Sequence, residues 1–264
     1  LVIFLHGSIA TADSIRLTGL YKLIDKADLG GKKPGFVTLA PEGRYTTHYY
    51  PGIDSNGLGW DNWYRQLNPS GDVTVGGTVY HENAAAAAID HFVSDYVAEG
   101  KVDRSRIYAM GWSNGAAMAI LYALDRPWIA AAAVYSAPDP FGAFNDPCPQ
   151  IPVATTPASI KEVQVFNPHV PLMHVRNDCD IGGICPNGGK LARELHALGG
   201  LVADVILDPS GVPVTSCEAV CGTDEMANGK VGSFGSLRGA AHHLKWPASW
   251  NDKMLAFLKD HPLR

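Results

Sequence analysis

The chain has 264 residues, 46% of them hydrophobic and 18% charged, with a formal net charge of −5, which suits a globular protein with a substantial core. The mild acidity leaves no electrostatic footprint for a nucleic acid, and no stretch approaches the ~20 continuous apolar residues of a membrane span. With no heptad, repeat or low-complexity tract either, we expect one domain over residues 1–264.

Leu1-Val2-Ile3-Phe4-Leu5 reads as a strand buried on both faces, running into the turn His6-Gly7-Ser8. Leu1 already lies inside that strand, so an upstream strand or a signal segment is expected to precede it. A helical stretch through 20–24 ends near Gly30-Gly31. Phe36-Val37-Thr38-Leu39-Ala40 is a second strand, stopped by Pro41. Residues 42–80 read as a long loop carrying Tyr45, Tyr49, Tyr50, Trp60, Trp63, Tyr64 and Tyr80; structureless stretches of this length are uncommon unless functional. Residues 82–98 make an amphipathic helix with Ile89, Phe92, Val93 and Tyr96 on its apolar face, closed by Gly100.

The apolar run Arg106-Ile107-Tyr108-Ala109-Met110 follows, then Gly111-Trp112-Ser113-Asn114-Gly115, then a small-residue helix over 116–124. Residues 131–135 are a short buried strand, 137–169 a Pro-rich excursion, and 171–175 a strand opening into Arg176-Asn177-Asp178-Cys179-Asp180. A helix at 190–198, a strand at 201–207, the segment 232–237 and the loop Arg238-Gly239-Ala240-Ala241-His242-His243 precede a last helix, begun by Pro247 and running through Leu258. Strands alternating with helices predict an α/β fold, a mostly parallel, doubly wound sheet with helices on both faces.

Strand, G-x-S-x-G and helix in that order make a nucleophile elbow. The sharp reversal strains the backbone of the central serine, and a Cβ on the flanking glycines would clash with the crossing chain. The Ser113 hydroxyl then lies at a helix N-terminus, whose free N–H groups favour developing negative charge. A nucleophilic serine needs a base, and the base an orienting carboxylate. Loops after the later strands offer Asp178 or Asp180, then His242 or His243, so that Ser, Asp and His follow one another in the order such a fold requires. Two amides near the serine would form an oxyanion hole, and the candidates are those of Asn114 and Ser8.

Trp60, Trp63 and Tyr64 offer contact area for an apolar or aromatic acyl group or a polymer chain. Trp60, set beside glycines, is read as an exposed platform and Trp63 as packed core. His81 and His91, with Glu82 and Asp90 nearby, do not make a metal site, because ten helical residues separate the two imidazoles by about three turns. The five cysteines are Cys148, Cys179, Cys185, Cys217 and Cys221. Cys179 and Cys185 flank one polar loop and Cys217 and Cys221 another, so local disulfides and an oxidising compartment are the economical reading. Pairing does not follow from spacing, and one cysteine is left over.

Leu5-His6-Gly7, Val102-Asp103-Arg104-Ser105-Arg106-Ile107-Tyr108 and the elbow with Ala116-Ala117-Met118-Ala119 resemble the secreted polyhydroxybutyrate-depolymerase and feruloyl-esterase-like family of α/β-hydrolases. Gly57-Leu58-Gly59-Trp60-Asp61-Asn62-Trp63-Tyr64 is similar to the aromatic segment this family places by its active site. Gly239-Ala240-Ala241-His242 resembles its Gly-x-Gly-His, and Met173-His174-Val175 through Asp180 resembles its acid loop. The likeness covers most of residues 1–140 and two later patches. It implies a triad of Ser113, Asp180 and His242. Three departures stand out: Pro247 lies five residues beyond His242 rather than three, leaving His243 open; Arg176-Asn177 replaces His-Gly before the acid; and the tryptophans carry one extra residue between them. The expectation is a secreted, monomeric serine esterase without cofactor or metal. Its substrate would be a small-molecule or polymeric ester (polyester, feruloyl or short-acyl), with no nucleic-acid or membrane partner. A serine peptidase on the same fold and a catalytically inactive polymer-binding module are the rival readings.

Overall fold

The computed structural model describes residues 1–46, 57–60, 72–75, 78–81, 84–141, 167–181, 184–217 and 243–264. Its main sheet is built from β1 (Val2–Leu5), β2 (Thr38–Leu39), β7 (Tyr108–Trp112), β8 (Ala131–Tyr135), β9 (Leu172–Asn177), β10 (Val202–Leu207) and β11 (Pro213–Val214). They lie in the order β11-β10-β9-β8-β7-β1-β2. All neighbours pair in parallel except β10 and β11. This is the mostly parallel α/β sheet expected.

Side chains alternate along each strand, so both faces of the sheet need cover. Ile3, Leu5, Ala109, Ala132, Val134 and Leu172 share one core layer with α2 (Ala84–Ala98), α3 (Asn114–Asp125) and α4 (Ile184–Ala197). Val2, Phe4, Tyr108, Met110, Trp112, Tyr135, Met173 and Val175 share the other with Trp246, Trp250 and α5 (Asn251–Asp260). Every residue of α3 from Asn114 to Leu124 is buried; a helix apolar all round belongs in the middle of a fold.

Several elements differ from expectation for local reasons. The helix predicted through 20–24 is instead α1 (Ile15–Thr18), ended by Gly19 at φ 75°, with a single 3-10 turn at Leu20–Lys22. The stretch 42–80 is not all loop. Within it β3 (Arg44–Thr46) pairs antiparallel with β4 (Gly57–Gly59), and β5 (Asp72–Val75) with β6 (Thr78–His81). Helix α4 begins at Ile184 rather than 190 and runs through Gly188 and Gly189, because Cβ atoms there would press within 2.6 Å of His174 and 2.9 Å of Arg176. Pro186 is tolerated in its first turn, where no helical N–H bond is lost. The segment 232–237 and most of 137–169 lie outside the described residues.

The local disulfides are corrected as well: Cys185 pairs with Cys217, 32 residues away, and Cys179 is also disulfide-bonded. The tie joins the start of α4 to the chain just beyond β11, two segments that are distant in sequence and adjacent in space. Arg176 sits against it, its Nη1 3.3 Å from Cys217 Sγ and its fork on the Asp204 carboxylate at 2.8 and 2.6 Å.

Two outcomes follow for stability. In the chain-entropy account, opening a tie of this span removes roughly 3–4 kcal/mol, so reductant is expected to lower the thermal midpoint measured by calorimetry. Thiol titration of the denatured, unreduced protein should find one free cysteine of the five; an unmoved midpoint or five free thiols would contradict the pairing. The second outcome concerns His174, which has no exposed surface. Burial pushes its pKa down to about 4, with Arg176 adding to the effect and Asp204 opposing it. The unfolded imidazole takes up its proton near pH 6.5, so the unfolded state binds more protons in between. Stability should therefore fall as pH drops from about 6.5 towards 4, by up to ~1.4 kcal/mol per pH unit. Urea midpoints that stay level across that interval would refute it.

Candidate active site

Ser113 follows β7 directly and takes φ 56°, ψ −121° before α3 begins at Asn114. This left-handed geometry is one an L-residue avoids, and it persists only where the surroundings over-determine it. The glycines of the motif supply that constraint. A Cβ on Gly111 would lie 2.6 Å from the carbonyl carbon of Gly115, and one on Gly115 would run into the carbonyl oxygens of Leu5 and His6. The start of α3 is thus pressed onto the end of β1, and Gly7 comes to rest with its open Cβ direction 3.5 Å from Ser113 Cβ.

His243 Nε2 lies 2.8 Å from Ser113 Oγ, and His243 Nδ1 lies 2.7 Å from Asp180 Oδ1. All three side chains are buried, with Ser113 and His243 each 4% exposed. The expected partner of Ser113, His242, lies outside the described residues. The imidazole that reaches the serine is that of His243. The reason is a bond the motif does not reveal. Trp112 Nε1, one residue before Ser113, donates to the His243 carbonyl at 2.9 Å. Trp246, just beyond, packs edge-on against Trp112 and Tyr135. Of the two acids, Asp180 meets the histidine, and Ile181 N donates to its Oδ1 at 2.8 Å. Asp178 still belongs to the sheet: its amide donates to the Leu207 carbonyl at 2.9 Å, extending the β9–β10 pairing.

Asn114 opens α3, where the first N–H groups of a helix have no intrahelical partner, so its amide is available beside Ser113. Ser8, the other oxyanion candidate, is half-buried in the turn after β1. That turn is held by His6. Gly43 N donates to His6 Nε2 at 2.8 Å, which leaves the proton on Nδ1, 2.8 Å from the Gly7 carbonyl. Burial lowers the His6 pKa and keeps the ring in this neutral, accepting form.

The exposed platform at Trp60 is overturned. Trp60 is 2% exposed and joins the two halves of the site. Its N–H donates to Asn114 Oδ1 at 2.8 Å, its carbonyl accepts from Asn114 Nδ2 at 3.1 Å, and its indole Nε1 donates to the His6 carbonyl at 2.9 Å. Glycines beside a tryptophan point to exposure by sequence; in the fold the chain at Gly43 passes so close that a Cβ there would lie 2.5 Å from the Gly59 carbonyl oxygen and 3.0 Å from His6 Nε2. Trp63 and Tyr64 lie outside the described residues. Among the described residues no group of three or more His, Cys, Asp or Glu side chains gathers to hold a metal ion.

No family model and no curated protein sequence matches the chain. Among solved structures it is similar to Arabidopsis thaliana SOBER1, with 14% identity and a TM-score of 0.52 over 96% of this chain and 98% of that one. A substituted form of SOBER1 overlays at TM-score 0.54 with the same identity and coverage. A Bacillus cereus carboxylesterase overlays at TM-score 0.44, with 16% identity over 78% of this chain and 77% of that one. The fold is that of the α/β-hydrolases.

Trp60→Ala is expected to lower stability by ~3–5 kcal/mol in urea unfolding, as for a buried aromatic that leaves a cavity. Trp60→Phe, which leaves the His6 carbonyl without its donor, should lower it by ~1–3 kcal/mol. A change within ~0.5 kcal/mol for Trp60→Ala is what an exposed residue gives and would restore the platform.

Proposed function

We propose that the protein is a serine hydrolase of carboxylic esters, with Ser113 as nucleophile, His243 as base and Asp180 as its orienting acid. The observation that carries this is the unbroken series from Ser113 Oγ to His243 Nε2 at 2.8 Å and from His243 Nδ1 to Asp180 Oδ1 at 2.7 Å. Its support is the strained elbow that aims the hydroxyl and the two-sided grip on the imidazole.

In this mechanism Ser113 Oγ bonds to the ester carbonyl carbon as its proton passes to His243 Nε2. The charge on the former carbonyl oxygen falls between the amides of Asn114 and Ser8, fixed before the reaction starts. The imidazolium, oriented by Asp180, gives its proton to the leaving alcohol oxygen as the carbon–oxygen bond breaks. Water then repeats the sequence, losing its proton to Nε2, and the acid leaves with Ser113 restored.

The substrate class we propose is a polyester, a feruloyl ester or a short-acyl ester, supported by the resemblance of the elbow and acid segments. Trp63 and Tyr64 remain the aromatic candidates for contact with it, Trp60 being committed to the scaffold. Secretion is proposed with it, supported by the Cys185–Cys217 bond, because such bonds persist in oxidising compartments.

Ser113→Ala should lower kcat on p-nitrophenyl esters by about 10⁴-fold or more, as in other triads, and abolish labelling by a fluorophosphonate. His243→Ala should behave alike, with His242→Ala staying near wild type. The reverse pattern at the two histidines would move the base by one residue. Wild-type protein that neither labels nor turns over any ester of a broad panel would leave a binding module.

A further inference from the structure

Among the described residues, non-glycine left-handed backbone occurs at Ile9, Ser113 and Ser136. The two serines occupy equivalent places. Ser113 follows β7 at φ 56° and Ser136 follows β8 at φ 55°. Ser113 N donates to the Tyr135 carbonyl at 3.0 Å and Ser136 N to the Val175 carbonyl at 2.9 Å. Each pairing therefore runs one residue past its strand before the chain turns. Ser136 has no exposed surface, and its Oγ donates to Asp180 Oδ2.

The other carboxylate oxygen is the one that serves His243. Oδ1 lies 2.7 Å from His243 Nδ1 and accepts from Ile181 N at 2.8 Å. A carboxylate rotates over a broad, two-fold terminal torsion, so donors on Oδ1 alone leave the group able to swing about that atom. A hydroxyl on Oδ2 removes the freedom, and hydrogen bonds to an ionised oxygen are roughly twice as strong as neutral ones. The strained backbone of Ser136 is what brings its hydroxyl to that oxygen.

We propose that Ser136 is a positioning residue of the triad: its hydroxyl locks the Asp180 carboxylate so that Oδ1 faces His243 and the imidazole in turn faces Ser113. The proposal rests on the triad reading above. The hydrogen-bonded series then has four members, beginning and ending on a serine at the tip of adjacent strands. The titratable groups around the carboxylate are His243 from its own loop, His174 from β9, Tyr135 from β8 and Asp178 beside it in sequence.

The test compares wild type, Ser136→Ala and Ser136→Gly by the rate at which a fluorophosphonate labels Ser113, followed over pH, together with thermal midpoints. Both variants should label about 10- to 100-fold more slowly, the size of effect a small misplacement of a catalytic group produces. Both should also show the acid limb of the profile displaced to higher pH, since the carboxylate charge is no longer shared with a hydroxyl. Glycine adopts φ 55° freely, so its midpoint should hold better than that of the alanine variant. If Ser136 serves only the turn, Ser136→Gly labels at the wild-type rate, which overturns the proposal. Slower labelling with an unshifted acid limb and lowered midpoints in both variants overturns it too. Wild-type protein that fails to label brings down the triad reading itself; wild-type labelling with an intact glycine variant brings down this proposal alone.

Discussion

The close approach of α3 to the end of β1 is the constraint on which the site depends. Gly115 permits it by presenting no side chain to the carbonyl oxygens of Leu5 and His6, and Gly111 permits the tight return of the chain onto itself. Once those backbones touch, the turn at His6-Gly7-Ser8 lies beside Ser113, and the serine and the turn are aligned by the same contact. A methyl group at either glycine would push apart two elements that each belong to the buried core, where voids and shifts are poorly absorbed.

Around that contact the protein builds two braces from opposite sides. Trp60 clasps Asn114 with its backbone and His6 with its indole, tying elbow to turn. Trp112 reaches the other way and holds the carbonyl of His243. His243 comes from a separate loop, yet its carbonyl is fastened to Trp112, which is itself part of the sheet. Strain at Ser113 is thereby sustained by packing on both faces.

What the sequence made legible is what has a local cause. The elbow, the alternating strands and the helix at 116–124 follow from spacing and from glycines whose need can be argued over a few residues. The order of serine, acid and histidine could be read for the same reason. The choice between His242 and His243 depends on a bond from Trp112, 131 residues earlier, and adjacent histidines on one loop offer no periodicity to decide it. Trp60 misleads because its partner Asn114 is 54 residues away. Without that partner, an aromatic ring among glycines looks like surface. The cysteines follow the same pattern, since Cys185 and Cys217 stand 32 residues apart and meet only in the fold.

The strand order has a consequence for how the protein is made. β1 pairs with β2 on one side and with β7 on the other, in the register Val2 to Tyr108 and Leu5 to Gly111. During synthesis at roughly 5–20 residues per second, the backbone edge of β1 that β7 will cover emerges several seconds before its partner exists. Non-local parallel pairing of this kind is slow, and an unpaired strand edge is open to association with other chains. The same topology that sets the His6-Gly7-Ser8 turn beside Ser113 therefore leaves one edge of β1 open until residues 108–111 have been made.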